Sequence, residues 1–93
     1  ALRKAVTERG IEVLDHAAKC VLRDRNDQHG SPEHTFERIA GLWSVYLGVE
    51  VKAHDAAAML ALLKIARIRA NPGHDDNWID LAGYAACGGE VSP

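Results

Sequence analysis

Four acidic residues stand in two pairs whose spacing could gather ligands for a metal ion. Glu33 and Glu37 are four residues apart, and so are Asp76 and Asp80. Residues four apart share one face of an α-helix. If the two acidic turns face each other in a bundle, four carboxylates converge. Oxygen ligands of this kind suit Mg²⁺, which is therefore the predicted cofactor.

Two basic residues lie between these pairs and could hold phosphate groups. Lys64 and Arg67 are three residues apart near the end of a predicted helix, and an arginine offers phosphate a planar fork of donors. The alternative is structural, because acids in a first helical turn and bases in a last turn complement the helix dipole. Asp80 lies between Ile79 and Leu81, where an unpaired charge is costly, so a salt bridge to Lys64 or Arg67 is its simplest partner.

Two aromatic residues and a histidine are further candidates for ligand contacts. Trp78 lies between Asp76 and Asp80, where a base could stack on it, and the Tyr84 hydroxyl could reach the same site. His29 could touch a phosphate or a base. The alternatives are core packing for the aromatic residues and a solvated helix end for His29.

Other catalytic and binding patterns are not found in the sequence. It contains no legible Ser-His-Asp or Cys-His arrangement, no GxGxxG motif and no P-loop. Cys20 and Cys87 lie among apolar residues without zinc-type spacing, and we predict two buried thiols in a reducing cytoplasm.

Length and charge restrict the class of protein. The 93 residues fit one domain, 1–93. Eleven basic and thirteen acidic residues give a net charge of −2, which argues against nucleic-acid binding, including binding through a helix-turn-helix. The longest apolar run, Ala56 to Leu63, is too short to span a membrane. No charged and apolar N-terminal leader is seen, so a cytoplasmic location is expected.

Apolar periodicity, together with helix start and stop signals, predicts an all-α, four-helix bundle-like fold. The chain offers a Ser31-Pro32 start signal, glycine at 48, Asn71-Pro72-Gly73, and a Gly88-Gly89 pair expected to end the last helix. The predicted helices cover about residues 11–27, 32–47, 53–70 and 76–87. Thr7 offers a cap for an earlier start of the first helix, with Gly10 inside it as a weak point.

The third predicted helix is apolar on nearly all sides. The stripe expected to face inward consists of Ala56, Met59, Leu60, Leu63, Ala66 and Arg67. Because Leu62, Ile65 and Ile68 widen the apolar surface, we expect this helix to be central and to touch neighbours or a second subunit, which makes a homo-oligomer the expected assembly.

Four segments together resemble a family of small phage and prophage proteins. They are Arg25 to Glu33, Phe36 to Ala40, Lys64 to Arg67 and Asp76 to Tyr84. The resemblance covers about Val21 to Glu90. The group is of the domain-of-unknown-function class and looks related to the nucleotide-modification-associated domain. That domain in turn resembles the all-α nucleotide pyrophosphohydrolases of the MazG and dimeric dUTPase type.

The resemblance to MazG-like enzymes implies a reaction. In those enzymes an ExxE and an ExxD motif on successive helices hold Mg²⁺. The nearest positions here are Glu33 with Glu37 and Asp76 with Asp80, spaced by four residues instead of three. These four would hold Mg²⁺, and Glu37 and Asp80 would orient water for hydrolysis of an α–β phosphate bond.

Two functional hypotheses follow from the sequence. The first is a phage-derived helical protein in the host cytoplasm that binds a nucleotide or small phosphate ligand with Mg²⁺. In it Lys64, Arg67, His29, Trp78 and Tyr84 contact the ligand. The alternative is a non-enzymatic oligomeric interaction module, a phage accessory or structural protein without a catalytic site.

Overall fold

Four α-helices and no β-strand are present in the part of the chain that this computed structural model describes, residues 6–20 and 32–93. They are α1 (Glu8–Lys19), α2 (Pro32–Leu47), α3 (Ala53–Ala70) and α4 (Asp75–Val91). The all-α, bundle-like prediction is confirmed, and the bounds of α2 and α3 agree with those predicted. None of these helices has the length and hydropathy needed to cross a membrane.

The first helix begins earlier than predicted. It starts at Glu8 rather than near Ile11, with Thr7 at the N-cap position. The Ile11 N–H donates to the Thr7 carbonyl at 3.0 Å, so Gly10 lies inside the first turns. A single glycine weakens a helix without ending it. The predicted end near residue 27 lies outside the described residues.

The last helix continues past its predicted end. The prediction that Gly88-Gly89 terminates it near Cys87 is wrong, because α4 extends to Val91. Helix-ending glycines usually adopt a positive φ, and among the described glycines only Gly48 does so. A Cβ added to Gly88 would lie 3.3 Å from the Ala57 Cβ. Gly88 therefore provides space for α3 and does not act as a stop signal.

The connection between α2 and α3 is held by one hydroxyl group. Gly48 ends α2 with a φ of +72°, and its N–H donates to the Ser44 carbonyl at 2.9 Å. The Ser44 hydroxyl donates to the Ala40 carbonyl at 2.7 Å and accepts the Val51 N–H at 2.8 Å. Because the hydroxyl bonds both sides of the turn, it fixes the entry into α3.

The core is made by α2, α3 and α4. Its buried members are Phe36, Ala40, Ala56, Ala57 and Cys87. Phe36 is the largest fully buried side chain, and its ring meets Tyr84 edge to face at 6.4 Å between centroids. The thiol prediction holds in part, since no disulfide joins Cys20 to Cys87 and only Cys87 is buried. The first helix packs on α4 and buries Ala17.

The inward face of α3 differs from the predicted stripe. It contains Ala56, Ala57 and Lys64, whereas Met59 and Leu63 are 39% and 44% exposed. Periodicity could not select the face because apolar residues surround the helix. Alanine permits the closest approach to α4, and Lys64 finds a partner there, so these residues determine the orientation. The predicted central position is seen in contacts with both α2 and α4.

We expect Phe36→Ala to lower the free energy of unfolding by about 3–5 kcal/mol, because it removes a fully buried ring. Urea denaturation followed by circular dichroism measures the loss. Leu47→Ala is the matched control, since this side chain is 51% exposed. Equal losses in the two variants would contradict the assignment of Phe36 to the core.

Candidate functional site

The predicted carboxylates lie on the first turns of α2 and α4. The side chain of Glu33 lies outside the described part. Glu37 and Asp76 are exposed, and the Asp80 side chain is 43% exposed. Among the side chains that the structure describes, no group of three or more His, Cys, Asp or Glu residues is placed to hold a metal ion. The magnesium site remains a prediction that depends on Glu33.

Lys64 and Asp80 form an ion pair between α3 and α4. The Lys64 Nζ lies 2.7 Å from Asp80 Oδ2, and the lysine side chain is only 10% exposed. Such a short distance is typical of a charge-assisted hydrogen bond. The sequence-based expectation of a salt bridge from Asp80 to Lys64 or Arg67 is confirmed for Lys64. A phosphate at Lys64 would have to share its ammonium group with Asp80.

We expect Asp80→Ala to destabilise the protein by about 1.5–3 kcal/mol, because it leaves a nearly buried ammonium without its carboxylate. Chemical denaturation of this variant and of the double variant Lys64→Met with Asp80→Leu tests the pair. The double variant should recover most of the loss, since no charge is then left buried. A double variant less stable than Asp80→Ala would contradict this account.

The other predicted ligand contacts are dispersed. Arg67 is exposed, and its carbonyl accepts the Asn71 N–H at the end of α3. Tyr84 is half-buried and its ring packs on Phe36, which agrees with the core alternative. His29 lies outside the described residues.

The predicted ligand Asp76 lies at the exposed N-terminus of α4. Its Oδ2 is 3.9 Å from the His74 Nε2.

A shallow depression lies at the start of α2. It has a volume of about 360 Å³ and is lined by His34, Glu37 and Arg38. These three are charged or titratable side chains of one helix face. Glu37 thus lies beside Arg38, and neither Lys64 nor Asp80 lines this depression.

A larger cavity lies between α1 and the start of α4. Its volume is about 640 Å³. It is lined by Val6, Arg9, Gly10, Val13, Leu14, Pro72, Gly73, Asp75 and Trp78. Most of these side chains are apolar, with an acid and a base among them. This combination of apolar walls and few polar groups is typical of small-molecule sites.

Trp78 forms a fixed wall of this cavity. Its indole Nε1 donates a hydrogen bond of 2.8 Å to the Pro72 carbonyl, and the residue is 40% exposed. The hydrogen bond ties the ring to the turn between α3 and α4. The indole therefore offers a positioned aromatic surface, as stacking on a base requires.

An ion pair joins the two helices at the cavity. Arg9 Nη2 contacts Asp75 Oδ1 at 2.5 Å, and both side chains are more than half exposed. The hydrogen bond and the charge of Asp75 raise the pKa of Arg9, which remains a cation at any ordinary pH. A guanidinium has five N–H donors, so the Asp75 contact leaves others for a ligand.

Sequence reasoning missed Arg9 and the cavity. Arg9 and Asp75 are 66 residues apart in the chain, and no local pattern connects them. The spacing of Asp75 and Trp78, three residues apart at a helix start, was the only sequence feature that could have indicated the α4 side of the site.

These features define a small all-α protein with an apolar cavity between its first and last described helices. The chain belongs to the family described as a domain of unknown function, DUF6378, whose model matches residues 12–92. The predicted resemblance to a phage group of this class is confirmed. The further step to MazG-like enzymes remains a prediction.

Two phage proteins are similar to this chain. The Gene 55 protein of Mycobacterium phage D29 is 39% identical over 75 residues, which cover 81% of this chain and 50% of that protein. The Gene 55 protein of Mycobacterium phage L5 is 41% identical over 76 residues, with 81% and 49% covered. The chain therefore spans about half the length of these relatives. No solved structure matches it.

Proposed function

We propose that this protein binds a nucleotide or a related phosphate-bearing ligand in the cavity between α1 and α4. The observation that carries the proposal is one cavity of about 640 Å³ with an indole wall and a guanidinium. Ligand cavities in proteins usually measure about 300–1,000 Å³. The protein would meet this ligand in the cytoplasm of a phage-infected host cell.

Trp78 would hold the base of the ligand. Stacking of a base on an aromatic side chain contributes about 1–3 kcal/mol and tolerates different bases. The hydrogen bond from Trp78 to Pro72 fixes the ring before binding, so little side-chain entropy is lost when the base arrives. Val13 and Leu14 also line the cavity and would supply apolar contacts.

Arg9 would hold the phosphate and Asp75 the hydroxyl or amino groups. Arginine binds phosphate oxygens with two parallel hydrogen bonds. Arg9 keeps N–H donors beyond the one that contacts Asp75. The Asp75 carboxylate accepts hydrogen bonds, which suits a ribose hydroxyl or an exocyclic amine.

Magnesium-dependent hydrolysis is a separate hypothesis that rests on the resemblance to MazG-like enzymes. In it Glu33, Glu37, Asp76 and Asp80 would hold Mg²⁺, and the metal ion would supply Lewis-acid activation for the hydrolysis. Asp80 follows Trp78 by two residues, about 200° around the helix. Its carboxylate is therefore on a different side of α4 from the cavity, and one Asp80 oxygen contacts Lys64.

We expect a nucleotide at one hundred times its dissociation constant to raise the melting temperature by about 10–20 °C in a thermal-shift screen of mono-, di- and triphosphates, with and without Mg²⁺. A ligand at one hundred times its dissociation constant adds about 2.7 kcal/mol of stability, and a domain of this size shifts by about 4–8 °C per kcal/mol. A nucleotide that shifts the protein without Mg²⁺ supports the cavity site.

Three variants locate the ligand. Trp78→Ala and Arg9→Ala should abolish the shift, whereas Arg69→Ala removes an exposed arginine of α3 and should leave it intact. Asp80→Asn tests the metal hypothesis, because a Mg²⁺-dependent shift that survives this change would show that the negative charge of Asp80 is not required for metal binding. A flat screen with every nucleotide would overturn the proposed function.

The exposed outer face of α3 favours a second candidate function. Met59, Leu62 and Ile65 are 39%, 62% and 49% exposed although all three are large and apolar. Contiguous exposed apolar side chains mark interaction surfaces. In this hypothesis the protein is a non-enzymatic oligomeric module, and its melting temperature responds to neither nucleotide nor Mg²⁺.

A further inference from the structure

Three chemically different side chains line the cavity between α1 and α4, and one of them is the neighbour of both others. Trp78 and Asp75 are three residues apart on α4, so they share a helix face with Cβ atoms about 5–6 Å apart. Arg9 comes from α1, and its Nη2 contacts Asp75 Oδ1 at 2.5 Å. The carboxylate is therefore adjacent to the indole and in contact with the guanidinium.

A nucleotide has the same connectivity, because its sugar is bonded to both the base and the phosphate. When the base stacks on Trp78 and the phosphate binds Arg9, the part of the ligand that reaches Asp75 is the sugar. The exocyclic amines lie on the edge of the base that is remote from the sugar. A base that presented this edge to Asp75 would direct its phosphate away from Arg9. The arrangement thus favours a sugar hydroxyl over an amine as the group that Asp75 binds.

The Asp75 carboxylate has the hydrogen-bonding capacity for such a hydroxyl. An ionised carboxylate only accepts hydrogen bonds, at about four lone-pair positions. Arg9 uses Oδ1, and Oδ2 has no hydrogen-bond partner within the part of the chain that the structure describes. The Asp75 side chain is 54% exposed, so a ligand can reach it. Carboxylates bind the ribose 2′-hydroxyl in this way in dinucleotide-binding folds.

We propose that Asp75 accepts a hydrogen bond from the ribose 2′-hydroxyl, so that the cavity selects ribonucleotides over 2′-deoxyribonucleotides. The inference rests on the proposed function, because it requires a nucleotide in this cavity, and it adds the class of sugar. A deoxyribonucleotide leaves the carboxylate without this hydrogen bond. Because water reaches a half-exposed side chain and replaces part of the loss, the expected preference is about tenfold in the dissociation constant.

Calorimetric titration of the chain with matched pairs of nucleotides tests the preference. Each ribonucleoside 5′-monophosphate is compared with its 2′-deoxy counterpart, for example AMP with dAMP and UMP with dUMP. The titrations are made without Mg²⁺, so that metal binding does not contribute. In every pair that binds, the ribonucleotide should have a dissociation constant about tenfold lower than that of the deoxyribonucleotide.

Two variants assign the preference to Asp75. Asp75→Ala should bring the ratio of the two dissociation constants close to one, because no acceptor remains for the hydroxyl. Glu12→Ala is the matched control. Glu12 is an exposed acid of α1 that does not line the cavity. After the hydrogen bond to Asp75, the charges of Asp75 and Glu12 both help to raise the pKa of Arg9. Glu12→Ala should therefore preserve the ratio.

Circular dichroism establishes that each variant keeps its helices. If Asp75→Ala does not fold, Asp75→Asn retains the shape of the side chain and should also lower the ratio. A neutral amide is a weaker acceptor than a carboxylate, because the charge of the acceptor strengthens the hydrogen bond.

Equal affinities for the two members of a binding pair would overturn this inference and leave the proposed function intact. A preference for ribonucleotides that survives Asp75→Ala would also overturn it, because another group would then bind the hydroxyl. If none of the nucleotides binds, the proposed function itself fails, and the inference fails with it.

Discussion

The close contact between α3 and α4 is the constraint on which the rest of the structure depends. Ala56 and Ala57 are almost fully buried, and a Cβ at Gly88 would be 3.3 Å from Ala57. These small residues bring the two backbones together, and Lys64 thereby comes within 2.7 Å of Asp80. Because the residues of this contact are small, a large side chain from α2, Phe36, packs beside them and completes the core.

Helix bounds followed from local signals in the sequence, but helix faces did not. Pro32, Gly48 and Asn71 mark the limits of α2 and α3 through properties that belong to single residues. The inward face of α3 depends on which neighbour fits, and a helix that is apolar all round contains no such information. Gly88 shows the same limit. In the sequence, a glycine that ends a helix cannot be distinguished from one that allows close approach of another helix, because the difference lies in the backbone conformation.

The candidate site was predictable only where its residues are neighbours on one helix, or where a charged residue among apolar ones requires a partner of opposite charge. Asp80 between two apolar residues requires a partner, and that reasoning found Lys64. Trp78 stood out as an aromatic residue on a polar turn. Arg9 could not be found, because only the folded chain brings it to Asp75. The result is a helix α4 with two polar places on different sides, one facing the cavity and one facing α3.

The position of α1 has a consequence for the order in which the protein assembles. The contacts of α3 with α4 join neighbours in sequence, whereas α1 reaches α4 across 66 residues. Closing a long loop costs entropy that only later contacts offset. We therefore expect α2, α3 and α4 to form one cooperative unit first, with α1 docking last and its amide hydrogens exchanging earliest with solvent. The cavity then exists only in the complete fold. A bound ligand should therefore slow the exchange of the α1 amide hydrogens before that of other helices.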